Sequence, residues 1–108
     1  ATMVSEFNKR REYMVNRINN MPYLSCINPK GAFYVFMNIT QTFGQQIDGN
    51  VIKDSTTFAQ NLLEQYKVAV VPGIGFGADG YVRLSYATSM ENIIKGLDRI
   101  EEFVNRLI

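Results

Sequence analysis

The segment Tyr81-Val82-Arg83-Leu84-Ser85-Tyr86-Ala87 narrows what this chain can fold into. Val82, Leu84 and Tyr86 alternate with Arg83, Ser85 and Ala87, so it reads as a half-buried strand. It lies downstream of Val70-Val71-Pro72-Gly73, a short apolar run that a proline ends. One arginine, Arg83, stands in the middle of the strand. A guanidinium there needs an anionic partner, and no acid in the same strand supplies one. The partner is an acid elsewhere in the fold, or the carboxylate of a ligand.

The remaining segments surround two strands with helices. Residues 3–20 repeat apolar side chains at Phe7, Met14, Ile18 and Met21, a helical spacing that Pro22 helps to stop. Asn28-Pro29-Lys30-Gly31 is turn chemistry. Residues 32–39 (AFYVFMNI) read as a strand, with Phe33, Val35 and Met37 on one face and Tyr34, Phe36 and Asn38 on the other. Both faces are fairly apolar, which suits a central strand. Residues 40–54 are polar and contain glycine, so they read as a surface loop. Residues 55–66 read as a helix with Phe58, Leu62, Leu63 and Tyr66 on one side. Residues 68–71 form a short strand, and 73–80 a glycine-rich connection. Thr88 followed by Glu91 is a capping-box signal. The helix after it carries a stripe of Met90, Ile93, Ile94, Leu97, Ile100, Val104 and Leu107. The order predicts an α+β domain spanning residues 1–108: a short, mostly antiparallel sheet with helices packed on one side.

Composition removes several function classes. With 11 Lys+Arg against 10 Asp+Glu, the net charge of +1 makes no broad field for nucleic acid or anionic lipid. No apolar run is long enough to cross a membrane, and no signal peptide is visible. The chain contains no histidine, which removes Ser-His and Cys-His nucleophiles and the commonest metal ligand. The ten acids are scattered, so no metal site or catalytic carboxylate pair is expected. Cys26 is the single cysteine and reads as a structural thiol in a reducing compartment. Lys30, Lys53, Lys67 and Lys95 lie in turns or on polar helix faces, where none is set up as a Schiff-base amine.

Gly73-Ile74-Gly75-Phe76-Gly77 has the look of nucleotide-binding glycines, but a strand follows it where a dinucleotide fingerprint needs a helix. It reads as a flexible or tightly turned loop able to border a ligand. Arg83 keeps two readings from the residues themselves. It can be an arginine on the solvent face of an edge strand, paired with a rim acid. It can also be a bidentate clamp on a ligand carboxylate, which a guanidinium fork matches better than lysine does.

Three ordered motifs carry a resemblance: Lys30-Gly31-Ala32-Phe33-Tyr34-Val35-Phe36, Val68-Ala69-Val70-Val71-Pro72-Gly73, and Gly80-Tyr81-Val82-Arg83-Leu84-Ser85-Tyr86-Ala87. Together the chain resembles the C-terminal small domain of class I, aspartate-aminotransferase-like enzymes that use pyridoxal 5'-phosphate. The resemblance implies that Arg83 binds the α-carboxylate of the amino-acid substrate and that Phe33 lines the pocket. It places the loop at Val71-Pro72-Gly73 near the entrance. It also implies amino-group exchange between an amino acid, aspartate foremost, and a 2-keto acid. The Schiff-base lysine and the cofactor's other holders belong to the family's large domain, and that pattern is absent here. The expectation is therefore a fragment of a cytoplasmic, homodimeric parent, with no catalytic residue, metal or bound cofactor of its own. The alternatives are a free-standing amino-acid-binding or regulatory module, and an interaction domain in which Arg83 is structural.

Overall fold

A computed structural model describes residues 3–27, 34–85 and 88–108. The order is α1 (Met3–Asn19), β1 (Ser25–Ile27), β2 (Tyr34–Asn38), β3 (Gln46–Ile47), β4 (Asn50–Val51), α2 (Ser55–Tyr66), β5 (Val71–Pro72), β6 (Tyr81–Ser85) and α3 (Met90–Asn105). Short 3-10 turns occupy Thr40–Thr42 and Gly73–Phe76. The main sheet has the order β1-β2-β6-β5, and each neighbouring pair is antiparallel. The α+β expectation holds, and β2 is central as its two apolar faces predict.

The pleat divides the sheet chemically. Val35, Met37, Val82 and Leu84 point into the core and are buried. Their neighbours Tyr34, Phe36, Tyr81 and Arg83 lie on the opposite face and keep partial exposure. Helix α1 packs against β1 and β2, and α2 packs against β5, β6 and α3. Opposite α2, Phe103 of α3 meets Phe58 edge-to-face at 5.2 Å and Tyr66 at 5.5 Å. Such aromatic pairs add to the burial of the rings themselves.

Several elements depart from the sequence reading. Strand β1 was not foreseen; three residues give too little alternation to register. The stretch read as a loop, residues 40–54, holds the β3–β4 hairpin. Its signal is Asp48-Gly49, with φ of +49° and +84°, the two-residue turn that matches strand twist. Ile47 and Ile52 bury beside this turn. The carboxy-terminal Ile108 exchanges two backbone hydrogen bonds with Gln46, at 2.8 and 3.0 Å. The strand expected at 68–71 is paired only at Val71–Pro72, because the left-handed Lys67 (φ +59°) and the bond from its N–H to α2 carbonyls turn the chain first. On α2, Leu63 is 50% exposed, and on α3 Ile94 is 37% exposed, so neither belongs to the buried stripe. Phe103 takes that place and is fully buried. The α3 cap is Ser89, whose hydroxyl accepts from the Asn92 N–H, one residue later than the Thr88–Glu91 box. Helix α2 is capped by Asp54, which accepts from Thr57 N–H at 2.8 Å, while Thr57 Oγ1 accepts back from Asp54 N–H. Among the described residues no helix is long and apolar enough to cross a membrane.

Phe103→Ala is expected to cost about 3–5 kcal/mol of stability, the price of a cavity where three aromatic rings meet. Ile94→Ala on the same helix should cost under about 1 kcal/mol. Urea denaturation of both variants checks the pair. Burial pushes the Cys26 thiol up to about 11. A raised thiol pKa leaves stability untouched below the unfolded value, then erodes it as pH rises through the folded one. Melting points that fall between pH 9 and 11 in the wild type, and not in Cys26→Ser, are the expected result.

Candidate functional site

Arg83 sits on β6, between β2 and β5, on the sheet face away from the core. The edge-strand reading is thereby corrected: β6 is interior. Cross-strand register sets its neighbours, with Phe36 directly opposite on β2 and Val71 opposite on β5. The guanidinium carbon lies 4.4 Å from the centre of the Tyr34 ring and 5.6 Å from that of Phe76. Phe36 joins them, 5.8 Å from Tyr34 and 5.4 Å from Phe76. Cation–π contact with two rings confines the cation without consuming its N–H donors. Among the described residues no carboxylate pairs with it. The ion pairs lie elsewhere: Glu6–Arg10 on α1, Arg17 with Asp98 and Glu101 between α1 and α3, Glu91–Lys95 on α3, and Asp48–Arg106.

Next to the arginine is an apolar depression of about 320 Å³ lined by Phe36, Phe76, Ala78 and Tyr81. Its size suits a small organic ligand. A cleft of about 180 Å³ between α3 and β6 is lined by Leu84, Asn92, Ile93 and Gly96, among others, and presents no ionisable side chain. The depression shares Phe36 and Phe76 with the surroundings of Arg83.

The loop 73–80 brings Phe76 to the arginine. Gly73 is buried, and a Cβ there would run into the backbone oxygens of Ala78 and Tyr81. The loop closes on itself through Ala78 N–H to Gly73 O at 2.8 Å. Gly77 takes φ +78° and ends the 3-10 turn. Of the flexible and the tightly turned readings, the structure has the tight turn, and a strand follows it.

Residues 1–100 match the family described as aminotransferase class I and II. This chain belongs to that family. It is 45% identical over 98 residues to a probable aspartate/prephenate aminotransferase of Rickettsia conorii, covering 90% of this chain and 24% of the relative. It is 45% identical over 102 residues to an aspartate aminotransferase of Pyrococcus horikoshii, covering 93% and 24%. The crystal structure of the aspartate aminotransferase from Rhizobium meliloti superposes with a TM-score of 0.93 at 40% identity, over 96% of this chain and 26% of that one. The chain thus spans about a quarter of the length of the relatives it matches.

Lys9, Lys53, Lys67 and Lys95 are all exposed, so none of them sits in the desolvated setting that makes an amine nucleophilic. Lys30 and Phe33 lie outside the described residues, as do Tyr86 and Ala87. Among the described residues no cluster of His, Cys, Asp or Glu converges to hold a metal. Sequence reasoning singled out Arg83 and missed its two ring neighbours. Tyr34 was visible on the same face as Phe36, but the strand register that sets both beside Arg83 was not.

Gly73→Ala is expected to displace the loop and cost about 1–3 kcal/mol, since the added methyl meets backbone and cannot be absorbed by a side chain. Loss of the nuclear Overhauser contact between the Phe36 and Phe76 rings, with a lower denaturation midpoint, would show it.

Proposed function

We propose that this chain is the C-terminal, substrate-positioning domain of a longer pyridoxal-phosphate-dependent aminotransferase. Residues 1–108 form that domain, and the cofactor-binding part of the parent lies outside them. The observation that carries the reading is Arg83: a guanidinium in contact with two aromatic rings, without an acid partner among the described residues, beside an apolar depression that shares Phe76 with it. Its fork of donors is left for a planar carboxylate, the group that every amino acid and 2-keto acid carries next to its reacting carbon. Family membership supplies the reaction class.

In this reading Arg83 binds the substrate α-carboxylate and so fixes the direction of the amino group. Phe33, outside the described residues, keeps the substrate-contacting role that the family resemblance implies. The role is orientation, in which small displacements cost rate. Aspartate is the leading amino-group donor, because the relatives from Rickettsia and Pyrococcus bear that name. Pyridoxal phosphate would supply the electron sink for amino-group transfer. The described residues of this chain do not fit it, since their lysines all face solvent, and the isolated chain is inactive in this reading. The remaining partners are the rest of the same polypeptide and a second copy of the parent.

Arg83→Lys in the full-length parent should reduce kcat/KM by about 2–5 kcal/mol, from loss of a desolvated bidentate contact. Cofactor absorbance should stay unchanged. Unaltered kcat/KM toward every amino acid tested would remove Arg83 from the site and the reading with it. A native protein of only this size, without cofactor yet binding amino acids, would favour a free-standing binding module.

A further inference from the structure

Loop 73–80 is tied to the start of α2 through Ser55, and its last residue to Ile39, whose N–H donates to Gly80 O at 2.9 Å. Ser55, the first residue of α2, is fully buried. Its Oγ–H donates to Asp79 Oδ1 at 2.6 Å, and its backbone N–H donates to the same oxygen at 3.1 Å. The hydroxyl oxygen in turn accepts from the Ile74 N–H at 3.1 Å. Ile74 and Asp79 stand near the two ends of the loop, and Phe76 lies between them. Both ends are therefore pinned to the start of α2. The segment between them is open, with Ile74 at 58% and Phe76 at 37% exposure. Phe76 contributes one short ring contact, to Phe36, and one to the guanidinium of Arg83. Its place over Arg83 is held mainly by the anchored backbone.

We propose that Ser55 and Asp79 are positioning residues for the carboxylate site: their hydrogen bonds hold the loop in the conformation in which Phe76 covers Arg83. The inference rests on the function proposed above and deepens it. Freeing the loop lowers the fraction of molecules whose site is preformed, so apparent substrate affinity falls by that fraction while a bound substrate reacts as before. Both Ser55 donors converge on one Asp79 oxygen, so the anchor is sensitive to loss of that acceptor.

The test uses Asp79→Ala, Asp79→Asn and Ser55→Ala in the full-length parent. Asparagine keeps an oxygen able to accept both Ser55 bonds and removes the charge. The expected result for Asp79→Ala and Ser55→Ala is a KM for the amino-acid substrate raised about tenfold, as the competent fraction drops. Their kcat should stay within about threefold, since no transition-state contact is removed. Asp79→Asn should restore KM close to wild type. An unchanged KM in Asp79→Ala, a fall in kcat alone, or equal damage from alanine and asparagine would each overturn the proposal. Should Ser55→Ala fail to fold because its site is sealed, the partly exposed Asp79 carries the test. The Phe36–Phe76 ring contact, followed by NMR in the 108-residue chain, gives a second readout: it should vanish in Asp79→Ala and persist in Asp79→Asn. If Arg83→Lys leaves all amino-acid kinetics intact, the aminotransferase reading fails, and the ring contact still decides whether the anchor holds the loop.

Discussion

The antiparallel pairing of β2 with β6 is the constraint on which the rest depends. It sets Val35 opposite Leu84 and Phe36 opposite Arg83 in one register. Side chains alternate with a period of two, so a slip of one residue would exchange the faces. Arg83 would enter the core, and Val82 and Leu84 would meet water. A guanidinium buried without a partner is far more costly than an exposed valine. Core formation and presentation of the arginine are thus enforced by the same register.

That arrangement leaves the two sheet faces with different work. One is sealed by helices and by the meeting of Phe58, Tyr66 and Phe103, and it supplies cohesion. The other carries Tyr34, Phe36, Tyr81 and Arg83, and Phe76 of the glycine-bearing loop packs on it. The rings there do not bury the cation. They limit its directions and keep its donors available, which a carboxylate partner within the fold would not do. The β3–β4 hairpin is tied to Ile108 by backbone pairing at Gln46.

Helices α1, α2 and α3 could be read from apolar periodicity because each must bury a single stripe. Strands β2 and β6 were legible from their aromatic and β-branched density. The errors fell where local signal is thin. Ser25–Ile27 becomes a strand only because β2 offers it an edge. Ile94 and Phe103 were ranked wrongly because both lie near the margin of the α3 stripe, and packing against α2 decides between them. The Asp48-Gly49 turn was a usable signal that the polar surroundings obscured.

The residues alone determined the alternation that commits 81–85 to a half-buried strand, the arginine in the middle of it, and the glycines that force a turn before it. These follow from backbone sterics and solvation, which act over a few residues. Which rings flank Arg83, that its strand is interior, and that a hydroxyl at residue 55 anchors a loop some twenty positions later were decided by tertiary structure. Such contacts join segments distant in the chain, and their distances depend on how strands register and helices pack, which no local pattern encodes.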